Sequence, residues 1–392
     1  MEYNSKLITN RNIENNKNNI DYRYKIVYAI AMISVIAEHC RGRGSIELNI
    51  QDWFKYSSYH MSLFMFAAGY FYKSKYVNQT FSYIFKKFKK LIIPIYLYNF
   101  FYGFYIQALK KLGFRNNIRP FSFSIIFIEP LGGCGFKHIT PSWFSSSLFY
   151  VEVYNILKRK SITFLRLEIH ESIYFIIDLI ISYISILLSN KGYNKITLYM
   201  HILRFSHLNI YYELGIYFNK HLEKKAKSIR SDIYFINIFI LKLLFHLYYS
   251  NAPSFYYGMC IYDNYSPFTV ITISILGIAF WIRLCEILDP ILGKNYYVNV
   301  IADNTFSIMI NHSLALDIIR TIFAVISKYT KFCQNFDFNR YYSMEMAYIY
   351  IPNNVAQSGI IYFLGCLIIP IIMQKLINKI KKNFFNYIKL KY

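Results

Sequence analysis

Tyr28-Ala-Ile-Ala-Met-Ile-Ser-Val-Ile-Ala-Glu38-His39-Cys40 is almost wholly apolar up to Ala37, then ends on an acid and an imidazole. His60-Met-Ser-Leu-Phe-Met-Phe-Ala-Ala-Gly69-Tyr70 follows after a short polar break and again sets a histidine against an apolar run. An ionisable side chain at membrane depth costs roughly 2.5–3.5 kcal/mol on insertion scales, so it is kept where it has work to do. Whether the chain is membrane-embedded therefore decides how both histidines are read.

Segments of about twenty mostly apolar residues, enough for a bilayer core of about 30 Å, recur along the 392 residues. They fall at 25–41, 54–72, 91–109, 142–157, 172–189, 197–218, 231–248, 267–287, 303–327 and 357–378. The mean hydropathy of +0.25 understates this pattern, because 40 Tyr and 35 Phe occupy many places where Leu or Ala is usual. The expected fold is all-α, a polytopic membrane protein of about ten helices with both termini cytoplasmic in the plasma membrane. Residues 1–24, Asn-rich and polar, read as a disordered cytoplasmic tail rather than a signal peptide. Residues 25–380 form the transmembrane domain, and 381–392 a basic cytoplasmic tail.

A net charge of +23 raises nucleic acid as a partner, but its distribution argues against it. With the N-terminus inside, the inside segments carry more than twice the Lys and Arg of the outside loops. That asymmetry sets orientation and contact with anionic membrane lipid. The six cysteines show no CxxC and no Cys/His metal spacing, so no metal is expected; free thiols are favoured over an outer disulfide. The outside loops 110–141 and 328–356 are long enough for functional lids. Leu131-Gly-Gly-Cys-Gly135 in the first suits either that role or plain turn chemistry.

On the first helix, Tyr28 and His39 lie eleven residues apart and so on nearly one face, while Glu38 points about 100° away. A neutral imidazole there suits a general base, and equally a histidine bonded across helices. His60 opens a helix whose Ala67, Ala68 and Gly69 permit close approach of a neighbour. Lys86-Lys-Phe-Lys-Lys90-Leu-Ile-Ile-Pro94 is a basic cluster suited to lipid headgroups or to the phosphates of a donor. Trp143 reads first as an interfacial anchor.

Together these segments resemble the membrane acyltransferase-3 family. That family carries a first-helix His, a His-Met-Pro-Leu-Phe helix ending in Ser-Gly-Tyr, and a basic Arg-x-x-Arg ahead of a proline. Ser142-Trp143-Phe144 through Phe149, Tyr212-Glu-Leu-Gly215 through Lys220, and Asn304-Thr-Phe-Ser307 through His312 resemble its later motifs in the same order, over residues 24 to 380. This chain has Tyr28 where the family usually has Arg, Lys87-x-x-Lys90 for the double Arg, Ser62 for Pro and Ala68 for Ser. Lys keeps the charge but loses bidentate phosphate geometry.

The resemblance implies transfer of an acyl group, acetyl expected, to a hydroxyl of a surface polysaccharide or lipid-linked glycan precursor. No bound cofactor is implied; acetyl-CoA is the co-substrate. His39 is then the base, aided by Glu38 or by another helix. His60 and Tyr28 line the cavity, and Lys87 and Lys90 hold the donor. The rival reading is a polysaccharide-precursor flippase, for which Arg204, Lys242, Arg283 and Arg320 in or near spans are the candidate path.

Overall fold

Asp21 starts the first helix: its carboxylate accepts from the Arg23 backbone N–H at 3.2 Å and so caps α1, Tyr22–His39. In the computed structural model, residues 20–40, 55–116, 118–249, 253, 255–344, 348–352, 355 and 358–391 are described. Most of the expected N-terminal tail and the segment 41–54 lie outside the described residues. Among the described residues helix is the only regular element, with one isolated antiparallel bridge, Tyr256–Ile261.

The helices after α1 are α2 (His60–Tyr70), α3 (Thr80–Lys87), α4 (Ile93–Lys111), α5 (Ser142–Phe164), α6 (Glu171–Asn190) and α7 (Thr197–Tyr217). Then come α8 (Glu223–Ser228), α9 (Ser231–Tyr249), α10 (Pro267–Leu292), α11 (Tyr296–Asp303), α12 (Thr305–Tyr329), α13 (Phe338–Tyr342) and α14 (Gly359–Lys391). A π-turn at Phe88–Ile92 joins α3 to α4. Pro94 explains it: its ring has no N–H to give and crowds the carbonyl four residues back, that of Lys90, so the ladder slips by one. The expected basic tail continues α14 as helix through Lys391.

Among the described residues, six helical segments are long and apolar enough to cross a membrane: Ser74–Lys111, Glu171–Asn190, Ser231–Tyr249, Pro267–Leu292, Thr305–Tyr329 and Gly359–Asn383. The other four expected spans coincide with α1, α2, α5 and α7, which are too short or too polar for that test. Helix α2 has 11 residues. Helix α1 carries Arg23, Lys25 and Glu38, and α5 and α7 spend positions on charges that meet inside the bundle. There Lys158 Nζ reaches Asp178 Oδ2 at 2.5 Å and Glu213 Oε2 at 3.3 Å, while Arg159 Nη2 meets Glu171 Oε2 at 2.8 Å. Buried charge paired in this way lowers apolarity without exposing polar groups to lipid.

The small residues of α2 do bring a neighbour close. A Cβ built on Gly69 would lie 1.9 Å from the Tyr212 carbonyl oxygen of α7, and one on Gly215 would lie 2.1 Å from the Phe66 carbonyl oxygen. Both obstacles are backbone, so neither can swing aside. Gly69→Ala is therefore expected to force α2 and α7 apart and to destabilise by about 1–3 kcal/mol or more. Thermal unfolding in detergent checks it; an unchanged melting temperature would show that the crossing is looser than this.

Candidate functional site

Four helices, α1, α2, α5 and α12, surround two cavities stacked along the bundle. The first, of about 530 Å³, lies toward the basic end. Its wall includes Asp21, Tyr24, Lys25, Tyr28 and Met32, Phe64 and Ala68 of α2, Ser145 and Leu148 of α5, Thr305 and Phe306 of α12, Lys90, and Asp303, which pairs with Lys25. The second, of about 350 Å³, takes Val35, Glu38 and His39 from α1, and His60 and Met61 from α2. It is completed by Thr140, Pro141 and Trp143 and by His312, Ser313 and Leu316 of α12. Phe144 and Met309 belong to both walls. All four helices give their lining residues in the same depth order, so the cavities lie on one path through the bundle.

The histidine-end cavity gathers three imidazoles. His39, exposed at the end of α1, has its ring centroid 4.7 Å from that of buried His312. The His312 Nδ1 lies 3.2 Å from the Ile308 carbonyl, which favours the tautomer with a proton on Nδ1. Its buried Nε2 then offers a lone pair, and it has no hydrogen-bond partner among the described residues. Glu38 does not turn to its neighbour in sequence: its Oε2 lies 3.5 Å from His60 Nδ1. The carboxylate thus acts on His60 across helices, and the group beside His39 comes from α12.

Trp143, read first as an interfacial anchor, lines this cavity. The Arg204 guanidinium covers one face of its ring at 5.0 Å, and Gly258 abuts its edge so closely that a Cβ would sit 2.9 Å from Cε2. Gly133, at φ +80°, carries the chain past the Thr140 carbonyl, where a Cβ would come within 2.4 Å. The glycine cluster is therefore a close-packed turn that delivers Thr140 and Pro141 to the cavity wall. The same loop is tied by Arg119, whose Nη1 lies 2.6 Å from Glu129 Oε2 and holds that carboxyl below its ordinary range.

Tyr28 shares the helix face of His39 but lines the other cavity, roughly 16 Å away by helical rise. The two expected donor lysines also part company. Lys90 lines the basic-end cavity and an adjoining groove of about 750 Å³ between α4 and α14. Lys87 lines neither cavity; it pairs with the buried Glu152 carboxylate and lies over the Tyr83 ring. Buried Ser145, on the wall of the same cavity, has a hydroxyl with no partner among the described residues.

Among the described residues no group of three His, Cys, Asp or Glu side chains has the arrangement of a metal site. All six cysteines are free thiols. Comparison with protein-family models, curated proteins and solved structures finds no match to this chain.

Sequence reasoning did not include His312 among the site residues. Its signal was present as the last residue of the Asn304–His312 motif, but only packing brings it to His39.

Proposed function

We propose that the chain is a membrane O-acyltransferase that moves an acyl group, acetyl first, from acyl-CoA to a hydroxyl of a surface polysaccharide or its lipid-linked precursor. The observation that carries this reading is the pair of cavities one side-chain layer apart. One carries Lys90 beside Asp21 and a Lys25–Asp303 ion pair, so that Lys90 is the cation left for the phosphates of a thioester donor; the other is lined by imidazoles and suits a hydroxyl. Five of the six family-like motifs supply those walls, through His39, His60, Lys90, Trp143, Phe144 and His312. The sixth, around Gly215, makes the α2–α7 crossing that holds the wall together.

The reading sets the lysine-rich end and both termini in the cytoplasm of a plasma-membrane protein, where acyl-CoA is available. The acceptor hydroxyl attacks the thioester carbonyl carbon, so that a C–O bond forms and the C–S bond breaks. The hydroxyl proton passes to the neutral His39 imidazole and from there to the departing thiolate, releasing the free thiol. His312 fixes the His39 ring from the side, Glu38 orients His60, and Trp143 gives the acceptor an aromatic wall.

The flippase reading has less support, because its four candidate cations stand apart from both cavities. Arg204 donates to the Gly258 carbonyl, Arg283 Nη1 meets Glu286 Oε2 at 3.4 Å, and Arg320 Nη2 meets Asp317 Oδ1 at 3.4 Å. Neither these three nor Lys242 lines either cavity.

Mass spectrometry of surface glycan from cells with and without the gene tests the activity: an ester-labile increment of one acyl group should vanish with the gene, and identical spectra would overturn it. Lys90→Gln is expected to weaken donor use by about tenfold or more, the worth of one charge-assisted hydrogen bond. Lys87→Gln should act on stability instead, by leaving Glu152 buried without its cation. An unchanged apparent donor affinity in the Lys90 variant would return that lysine to lipid anchoring.

A further inference from the structure

The layer between the two cavities is thin. On α1 the wall passes from Met32 in one cavity to Val35 in the other, and on α2 from Phe64 to Met61, about 4.5 Å of helical rise in each case. Phe144 and Met309 fill that level from opposite helices. Phe144 is the fixed member: its ring lies 5.7 Å from that of Phe64 and 5.8 Å from that of Trp143, and it is buried. Met309 is unbranched with rotatable bonds throughout, the side chain best able to move aside without a cavity being kept open.

We infer that Phe144 and Met309 form a gate whose breadth selects unbranched acyl thioesters over branched ones. The inference rests on the acyltransferase reading, in which the thioester crosses this layer to reach His39. An unbranched acyl chain is no wider than the polymethylene-like arm that carries it. A methyl branch beside the carbonyl widens the group at the point that must pass between the two side chains. Selection is thus by breadth at the gate, while length is limited only by the 350 Å³ beyond it. One methyl misplaced in a close-fitting apolar site discriminates by roughly 10–200-fold.

Butyryl-CoA and isobutyryl-CoA, which have the same atoms, separate breadth from size. Native membranes carrying the protein are supplied with each, and with acetyl-CoA, and ester formation on the membrane glycan is read by mass spectrometry against a His39→Ala blank. The expected result is at least a tenfold preference for butyryl over isobutyryl. Met309→Ala and Phe144→Leu, on two different helices, should each bring that ratio toward one. Ile180→Ala, on the exposed side of α6, should leave it alone. A wild-type ratio near one overturns the gate, and so does an unmoved ratio in gate variants that still transfer acetyl. Absence of His39-dependent transfer from all three donors would instead sink the acyltransferase reading, and the gate with it.

Discussion

His39→Ala is expected to abolish glycan acylation while expression and membrane insertion persist. Removing an ionisable group from an apolar helix relieves an insertion cost, so loss of activity without loss of protein separates chemistry from folding. Loss of a general base removes a factor of roughly 10²–10⁴ in rate. The geometry grades the neighbours. His312→Ala removes the ring 4.7 Å from His39 and should give a partial loss, because it positions the base without being it. Glu38→Gln should act through His60, its partner at 3.5 Å, and should fall between wild type and His39→Ala. Acylation is read as ester-labile mass on the glycan, with membrane abundance measured in the same cells. Wild-type acylation in the His39→Ala strain, with acylation lost in His312→Ala, would hand the role of base to His312. Wild-type acylation in both would refute the mechanism.

The parts of this site legible in sequence are those that carry their signal locally. His39 and His60 stand out because an imidazole interrupts an apolar run, and Gly69 because small residues cluster on a short helix. The close α2–α7 crossing through Gly69 and Gly215 bears that reading out. What escaped is tertiary. Glu38 sits beside His39 in sequence, yet a helix turns adjacent residues about 100° apart, and its partner is on α2. Lys87 and Lys90 look alike on paper, but the buried Glu152 of α5 takes up one and not the other. Trp143 at a helix start resembles an interfacial residue until Arg204 and Gly258, far along the chain, close around its ring. The count of spans was blurred by the same physics: α5 buries Lys158 and Arg159 against Asp178 and Glu171 of α6 and Glu213 of α7, and α1 pairs its own charges with other elements, so these helices pack in the bundle without being apolar enough to stand alone as spans.

Asp317→Ala should have the largest effect on stability. Asp317 lies fully inside the bundle on α12 and accepts from Arg115 Nη2 at 2.5 Å, with His138 Nε2 at 3.1 Å and Arg320 Nη2 at 3.4 Å. Tyr105 of α4 adds a hydroxyl at 3.3 Å. Arg115 has no exposed side-chain area, lies 3.8 Å over the Tyr341 ring and donates to the Tyr341 carbonyl at 3.1 Å, while Arg320 donates to the Tyr348 carbonyl at 3.1 Å. One carboxylate thus ties the loop before α5 and the segment after α12 to the bundle. Removing it strips the buried Arg115 guanidinium of its carboxylate, a loss that typically costs about 3–5 kcal/mol. The melting temperature in detergent should fall by several degrees. Acylation should fall too, because His138 stands two residues before Thr140 on the wall of the histidine-end cavity. Asp317→Ala combined with Arg115→Met should recover part of the stability, since deleting both members of a buried pair costs less than stranding one. A melting temperature that stays at the wild-type value in Asp317→Ala would mean that the loop before α5 is held by its other contacts.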